Sequence, residues 1–117
     1  MPVRVLIVDD DEAFREFAAQ LLGGRGYDVV GRAGGVAEAH AAVGRLRPDA
    51  LLLDVNLPDG NGVALATELS RDGESPRVLL TSTDSSAVTR PLLERSGATG
   101  FVAKPDLTAA DLRVYLG

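Results

Sequence analysis

The chain has 117 residues, a formal net charge of −5 at pH 7 and no cysteine. This length is typical of one domain with a hydrophobic core of its own. The absence of cysteine excludes disulfides, thiolate metal sites and a cysteine nucleophile. An acidic balance without a basic cluster predicts that the domain does not bind nucleic acid. Because the apolar runs are short and no signal peptide is recognisable, we expect a cytoplasmic domain without a membrane contact.

Short apolar segments alternate with amphipathic segments along the chain. The apolar segments are rich in valine and leucine, which is typical of buried strands. They lie at 3–8, 27–33, 49–54, 77–81 and 101–103. The second segment is more polar, which favours a place near a sheet edge. The alternation predicts a doubly wound α/β fold, in which right-handed crossovers put helices on both faces of a five-stranded parallel sheet.

Five helices are predicted, one after each strand, from apolar residues at helical spacing. The first contains Phe14, Phe17, Ala18 and Leu21 and is closed by Gly23 and Gly24, the next three cover 36–47, 62–71 and 84–95, and the last is marked by Leu107, Ala110 and Val114. Asp10 or Asp11 can cap the first helix, and Asp84 can cap the fourth. Because Pro91 lies inside the fourth span, that helix is either kinked or begins late, near the proline.

Chemically active side chains follow four of the predicted strands. They are Asp9 and Asp10 after the first, Asp54 at the end of the third, Ser82 after the fourth and Lys104, the only lysine, after the fifth. The carboxyl ends of parallel strands point the same way, so these side chains can converge on one cleft. Each position alone has an ordinary explanation as a helix cap, a turn residue or a solvated lysine. Together they favour a single site.

Three carboxylates in one cleft repel one another, and a divalent cation removes that conflict. Mg²⁺ fits this set because it prefers oxygen ligands and needs only one or two carboxylates. A metal, a lysine and a hydroxyl around a carboxylate are suited to phosphoryl transfer. We therefore predict that Asp54 is the nucleophile and forms an acyl phosphate. Lys104 would neutralise the phosphoryl oxygens, and Ser82 would donate a hydrogen bond to one of them.

The chain resembles, over its whole length of 1–117, the receiver domains of bacterial two-component response regulators. The matching residues are Asp9, Asp10, Asp54, Pro58, Gly62, Ser82, Phe101, Lys104 and Pro105. The resemblance implies a flavodoxin-like (CheY-like) fold with strand order 2-1-3-4-5 and phosphoryl transfer from a sensor histidine kinase to Asp54. It also implies that Asp10, Asp54 and the backbone carbonyl of Asn56 hold Mg²⁺ directly, while Asp9 acts mostly through water.

The resemblance further implies a switch, in which Ser82 moves toward the phosphorylated aspartate and Phe101 rotates inward. The face formed by helix 4, strand 5 and helix 5 would then bind a downstream protein or a second copy of the domain. Asn56, Asp84 and the unusually bulky Thr83 flank the predicted phosphoryl group. We expect these three residues to tune the lifetime of the phosphorylated state.

Two rival interpretations remain open at the level of sequence. Asp9, Asp10 and Asp11 resemble the Asp-x-Asp motif of haloacid-dehalogenase phosphatases, in which Asp9 would be the nucleophile. That interpretation leaves Asp54 without a role, and such enzymes usually need a longer chain. The second rival is a binding module that is never phosphorylated. The favoured interpretation is a signalling domain with self-catalysed phosphorylation and dephosphorylation, either a single-domain regulator or the receiver half of a longer one.

Overall fold

The computed structural model describes residues 1–71 and 75–117, so Asp72, Gly73 and Glu74 of the predicted loop lie outside the described residues. Five strands form one sheet, in which every pairing is parallel. They are β1 (Arg4–Val8), β2 (Asp28–Ala33), β3 (Ala50–Asp54), β4 (Arg77–Ser82) and β5 (Gly100–Ala103). The order β2-β1-β3-β4-β5 confirms the predicted topology.

Five α-helices connect and follow the strands. They are α1 (Glu12–Gly24), α2 (Val36–Leu46), α3 (Gly62–Leu69), α4 (Arg90–Ser96) and α5 (Arg113–Leu116). A single 3₁₀ turn at Lys104–Asp106 follows β5. Within the residues that the structure describes, no helix combines the length and the apolar composition needed to cross a membrane.

The central strand β3 is buried on both faces, which explains its uninterrupted apolar run. Leu51 and Leu53 belong to a core cluster on the face covered by α2, α3 and α4. Ala50 and Leu52 belong to a second cluster, on the face covered by α1 and the C-terminal segment. Alternate side chains of β3 therefore pack against the helices on the two faces of the sheet. The carboxyl end of β3 lies between these two layers, where functional sites of such folds are found.

Helix α1 is capped by Asp11, one of the two predicted caps, whose side chain accepts hydrogen bonds from the backbone of Ala13 and Phe14. The helix ends at Gly24, the second of the two glycines expected to close it, and the chain turns at Gly26, which has a φ of 90°. Left-handed backbone of this kind favours glycine. Phe17, predicted on the inner stripe, is instead 43% exposed.

The fourth helix begins late, which confirms one of the two possibilities raised by Pro91. Thr89 is the N-cap, and Pro91 lies in the first turn, where a missing backbone donor removes no helical hydrogen bond. The prediction that Asp84 caps this helix is therefore wrong. The Asp84 carboxylate instead accepts hydrogen bonds from the backbone and the hydroxyl of Ser86, within the preceding turn.

The last helix is much shorter than its apolar spacing predicts. Leu107 is buried as expected, but Val114 is 63% exposed, and Leu112 takes an inner position instead. The carbonyls of Thr108 and Ala110 accept hydrogen bonds from the Arg25 side chain. The amides of Ala109 and Ala110 bind the carbonyls three residues back, as in tight turns, so the segment turns before α5 and the helical spacing goes out of phase.

The loop between β3 and α3 is a small antiparallel ribbon, in which Asn56–Leu57 pairs with Gly60–Asn61. Gly62 then starts α3 directly against the end of β3, and its amide donates to the Val55 carbonyl at 2.7 Å. A Cβ atom on Gly62 would lie 2.1 Å from the Asp54 carbonyl oxygen. Only glycine allows this close approach, which holds the loop beside Asp54.

Gly62→Ala should therefore strain the junction of β3 and α3. We expect the free energy of unfolding, measured in urea, to fall by roughly 1–3 kcal/mol. Gly44→Ala, inside α2, is the matched control because a Cβ there meets nothing within 4 Å. Its stability should rise by up to about 1 kcal/mol. A Gly62 variant as stable as the parent would contradict this account of the junction.

Candidate functional site

Three side chains from three strand ends meet at the carboxyl edge of the sheet. Asp9 follows β1, Asp54 ends β3 and Lys104 follows β5. The Lys104 Nζ atom lies 2.7 Å from Asp9 Oδ2 and 3.2 Å from Asp54 Oδ2. Because β4 separates β3 from β5, the long lysine side chain spans the end of that strand to reach both carboxylates.

Backbone amides orient both carboxylates toward the lysine. Asp9 Oδ1 accepts a hydrogen bond from the Asp11 amide at 2.9 Å, and Asp54 Oδ1 accepts one from the Asn56 amide at 3.1 Å. In each aspartate the other oxygen, Oδ2, faces Lys104. The loops that follow β1 and β3 therefore set the direction of the acidic side chains.

The three groups are largely withdrawn from water. The side chains of Asp9, Asp54 and Lys104 are 0%, 9% and 14% exposed. Burial raises the pKa of the Asp9 carboxyl, and the nearby Asp54 charge also raises it. The Lys104 ammonium acts in the opposite direction but does not outweigh these effects. Burial alone would lower the pKa of Lys104, but its contacts with both carboxylates outweigh that effect and raise it. The lysine is therefore a fixed positive charge at neutral pH.

The residues present fit a divalent cation. Asp9, Asp10 and Asp54 each offer a carboxylate oxygen, and these atoms lie within 4.8 Å of one another. Asp9 Oδ2 is buried and accepts no directed hydrogen bond from any described residue, so the ammonium beside it acts as an ion pair. The lysine pairs with only two of these three carboxylates, and oxygen donors with excess negative charge are what Mg²⁺ prefers.

Two neighbouring hydroxyls end β4, and the structure gives them different roles. Thr81 Oγ1 donates to the Val102 carbonyl at 2.7 Å, which commits its proton to the sheet. Ser82 Oγ accepts from the Asp84 amide at 3.1 Å, and no described residue accepts the proton of Ser82. Ser82 is therefore the hydroxyl with a hydrogen bond left to donate.

The register of β4 and β5 places Ser82 and Phe101 on the same face of the sheet. Leu80 pairs with Phe101, and Ser82 lies two residues beyond Leu80 on the same strand. The side chains of Ser82 and Phe101 therefore lie on the same face of the sheet. Phe101 is half-buried and packs against the cluster beneath α2, α3 and α4. This arrangement allows the movement expected of a switch pair, although Ser82 and Phe101 are not direct partners in the ladder.

The residues predicted to tune the phosphorylated state are exposed around this edge. They are Asn56, Thr83 and Asp84. Sequence reasoning missed one residue of the site itself, Phe14, whose ring centroid lies 4.2 Å from Lys104 Nζ. Its place in the first turn of α1, just after the acidic run, was the signal that could have identified it.

The fold, with acidic side chains and a lysine at the carboxyl edge of a parallel sheet, is that of a signalling receiver domain. A sequence profile of the response regulator receiver domain matches residues 5–115. The chain belongs to this family of two-component signalling domains, which pair with histidine kinases.

Curated relatives extend the comparison. The chain is 47% identical over 105 residues to the DNA-binding transcriptional activator DevR/DosR of Mycobacterium tuberculosis, covering 87% of this chain and 48% of that protein. It is 41% identical over 106 residues to the DNA-binding response regulator MtrA of Mycolicibacterium smegmatis, covering 90% and 45%. The chain therefore spans about half the length of the curated relatives it matches.

Solved structures agree with the fold. A putative response regulator from Chloroflexus aurantiacus superposes with a TM-score of 0.82 at 30% identity, over 97% of this chain and 98% of that one. The chemotaxis response regulator CheY4 of Vibrio cholerae gives 0.81 at 26% identity, over 97% and 99%. The flavodoxin-like class predicted from the sequence is confirmed.

The loop after β3 is also tied to α2, through Asp59. Asp59 Oδ1 accepts from the Val36 amide at 2.7 Å and Oδ2 accepts from the Ala37 amide at 3.0 Å. The N-cap of α2 is Gly35, which has no side chain to do this. A Cβ atom on Gly35 would lie 2.6 Å from Asp59 Oδ1, so the glycine leaves room for a cap supplied by a distant loop.

Asp59→Ala should lower the thermal stability at neutral pH. The hydrogen bonds from the Ala37 and Val36 amides hold the pKa of Asp59 below its ordinary value of 3.8. The stabilisation is complete above 3.8 and is lost as the pH falls through the lower pKa of the folded state. Melting temperatures of both proteins from pH 7 to pH 2 should therefore converge at the acid end. A constant difference across that range would contradict the cap.

Proposed function

We propose that this domain accepts a phosphoryl group on Asp54 from the phosphohistidine of a sensor histidine kinase. The observation that carries the proposal is the position of Lys104 Nζ, between Asp9 and Asp54 at the carboxyl edge of the sheet. A fixed ammonium beside a carboxylate can neutralise the charge of an incoming phosphoryl group. The proposed class of activity is signalling, with self-catalysed phosphorylation and dephosphorylation.

The difference between the two buried aspartates supports Asp54 as the nucleophile. The Asp9 side chain is completely buried, whereas that of Asp54 retains 9% of its exposure. Both aspartates bind a backbone amide through Oδ1 and the lysine through Oδ2, so exposure is the property that separates them. The complete burial of Asp9 disfavours the rival interpretation, in which Asp9 is the nucleophile of a phosphatase.

In the proposed step, an oxygen of the Asp54 carboxylate forms a bond to phosphorus. The bond between phosphorus and the donor's imidazole nitrogen breaks, and that nitrogen leaves with the electron pair. Lys104, which already touches Asp54, then pairs with a phosphoryl oxygen. The Ser82 hydroxyl donates a hydrogen bond to another phosphoryl oxygen, which the Thr81 hydroxyl cannot do while it donates to Val102.

Mg²⁺ is the proposed cofactor. Asp10, Asp54 and the backbone carbonyl of Asn56 would hold it, and Asp9 would act mostly through water. When bound, the ion supplies positive charge that neutralises the phosphoryl oxygens. The carboxylate oxygens of Asp9, Asp10 and Asp54, which lie within 4.8 Å of one another, support a cation at this place.

The proposed output is a change on the face formed by α4, β5 and α5. Ser82 would move toward the phosphoryl group, and Phe101 would turn inward on the same sheet face. A downstream protein, or a second copy of the domain, would read that change. The relatives are named as DNA-binding regulators, and we propose that DNA contact in any longer regulator would lie outside this acidic domain.

The lifetime of the acyl phosphate would depend on the water that attacks it in line. Asn56 and Asp84 are proposed to orient that water, and Thr83 to hinder it. All three are exposed at the edge of the site. The Asp84 Oδ1 atom already accepts hydrogen bonds from Ser86. Orientation of the attacking water by Asp84 would therefore depend on its other carboxylate oxygen, Oδ2.

Asp54→Asn should abolish phosphorylation and leave the fold intact, because an amide is a poor nucleophile of similar shape. Intact-mass measurement with a small phosphodonor and Mg²⁺ should show one added phosphoryl group on the parent and none on the variant. Asp28→Asn, on the exposed start of β2, is the control and should behave as the parent. A base-labile phosphoryl group on the Asp54→Asn variant would overturn the assignment, and an unmodified parent would favour the binding-module interpretation.

Mg²⁺ should raise the melting temperature of the parent. At ten times its dissociation constant, a ligand specific for the folded state adds about 1.4 kcal/mol to the free energy of unfolding. Asp10→Asn should reduce this effect. Without the ion it should be at least as stable as the parent, because one of the clustered negative charges is gone. A sodium salt at equal ionic strength is the control, and a parent insensitive to millimolar Mg²⁺ would count against the cluster.

A further inference from the structure

The Lys104 ammonium has a third neighbour besides the two carboxylates. Its Nζ atom lies 4.2 Å from the centroid of the Phe14 ring. Phe14 is half-buried and packs against the core cluster on the α1 face of the sheet. A cation over a partly buried aromatic face is attracted by the negative charge density of the ring. The ammonium is therefore enclosed by two acidic oxygens and one apolar surface.

The N-terminal cap of α1 fixes the position of the Phe14 ring. The Asp11 side chain accepts from the Phe14 amide at 3.3 Å, so the cap and the ring belong to one helical turn. The Asp11 amide also donates to Asp9 Oδ1. One short segment thus orients the acidic group and the aromatic group on either side of the lysine.

A phenyl ring differs from the carboxylates in a way that matters for phosphoryl transfer. Each carboxylate competes with the phosphoryl group for the ammonium, because both are negatively charged hydrogen-bond acceptors. The ring attracts the ammonium without accepting a conventional hydrogen bond, and it keeps water from one side. The lysine can then exchange Asp54 Oδ2 for a phosphoryl oxygen without losing its third neighbour.

We propose that Phe14 is a positioning residue, whose ring face holds the Lys104 ammonium above Asp54 for contact with the phosphoryl group. This inference rests on the proposed function, since its effect on rate is measured as phosphorylation of Asp54. Its structural part is independent of that function, because the ring and the ammonium are in contact in the unphosphorylated protein.

The chain offers a direct probe, because Lys104 is its only lysine. In protein labelled with ¹³C,¹⁵N-lysine, one ε-methylene signal should appear, shifted upfield by the Phe14 ring. Phe14→Leu should move that signal back toward its position in a free peptide. Phe17→Leu is the control for the neighbouring ring, since Phe17 is 43% exposed and its ring centroid lies 6.1 Å from that of Phe14. An unshifted parent signal, or one that ignores Phe14→Leu, would overturn the inference.

The kinetic test uses the same variants with a small phosphodonor at saturating Mg²⁺. Phe14→Leu should slow phosphorylation of Asp54 roughly three- to tenfold, the range expected when a partly desolvated cation–ring contact is lost. Phe14→Tyr keeps the ring face and should restore the rate to within about twofold of the parent. Phe17→Leu should match the parent, and the Mg²⁺ affinity should be equal in all four proteins.

Several outcomes would decide against the positioning role. A parental rate in Phe14→Leu, or a tyrosine variant as slow as the leucine variant, would show that Phe14 contributes packing alone. Phe14→Met replaces the leucine variant if thermal melts show that the latter is unfolded. If the parent gains no phosphoryl group, the proposed function fails, and the lysine spectrum then decides whether Phe14 holds Lys104.

Discussion

One ammonium between two buried carboxylates is the interaction on which this structure depends. Lys104 reaches Asp9 and Asp54 across the end of β4, so the contact exists only if β1, β3 and β5 end at the same level. Removing charged groups from water is costly, and mutual pairing offsets part of that cost. Negative charge still exceeds positive charge at this edge, because Asp9, Asp10 and Asp54 lie together there with one lysine.

The loop that follows Asp54 is held at both ends by close packing. Gly62 lets α3 begin against the carbonyl of Asp54, and Asp59 caps α2 in place of the side chain that Gly35 lacks. The Asn56 amide, at the start of this loop, orients Asp54. The loop that orients the predicted phosphoacceptor is thus held by α3, which begins against the Asp54 backbone, and by α2, which Asp59 caps.

The last two residues of β4 use their hydroxyl groups differently. Thr81 uses its hydroxyl to bind β5, while Ser82 keeps a proton to donate. Because Pro91 delays α4 until Arg90, the segment after Ser82 is a turn rather than a helix. A movement of Ser82 would therefore reach this turn, through the bond from the Asp84 amide, before it reached the helix.

The sequence by itself determined the fold class, the strand order that its family resemblance implies, and the strand ends where Asp9, Asp54 and Lys104 meet. Buried strands need apolar runs, and parallel strands end at one edge, so both features follow from local pattern. Only the tertiary structure decided the Asp59 cap and the ring of Phe14 above the lysine. These contacts join residues far apart in the chain, and no local periodicity encodes them. The shortened α5 is likewise a feature of the tertiary structure, in which Arg25 binds the carbonyls of Thr108 and Ala110 from outside that segment.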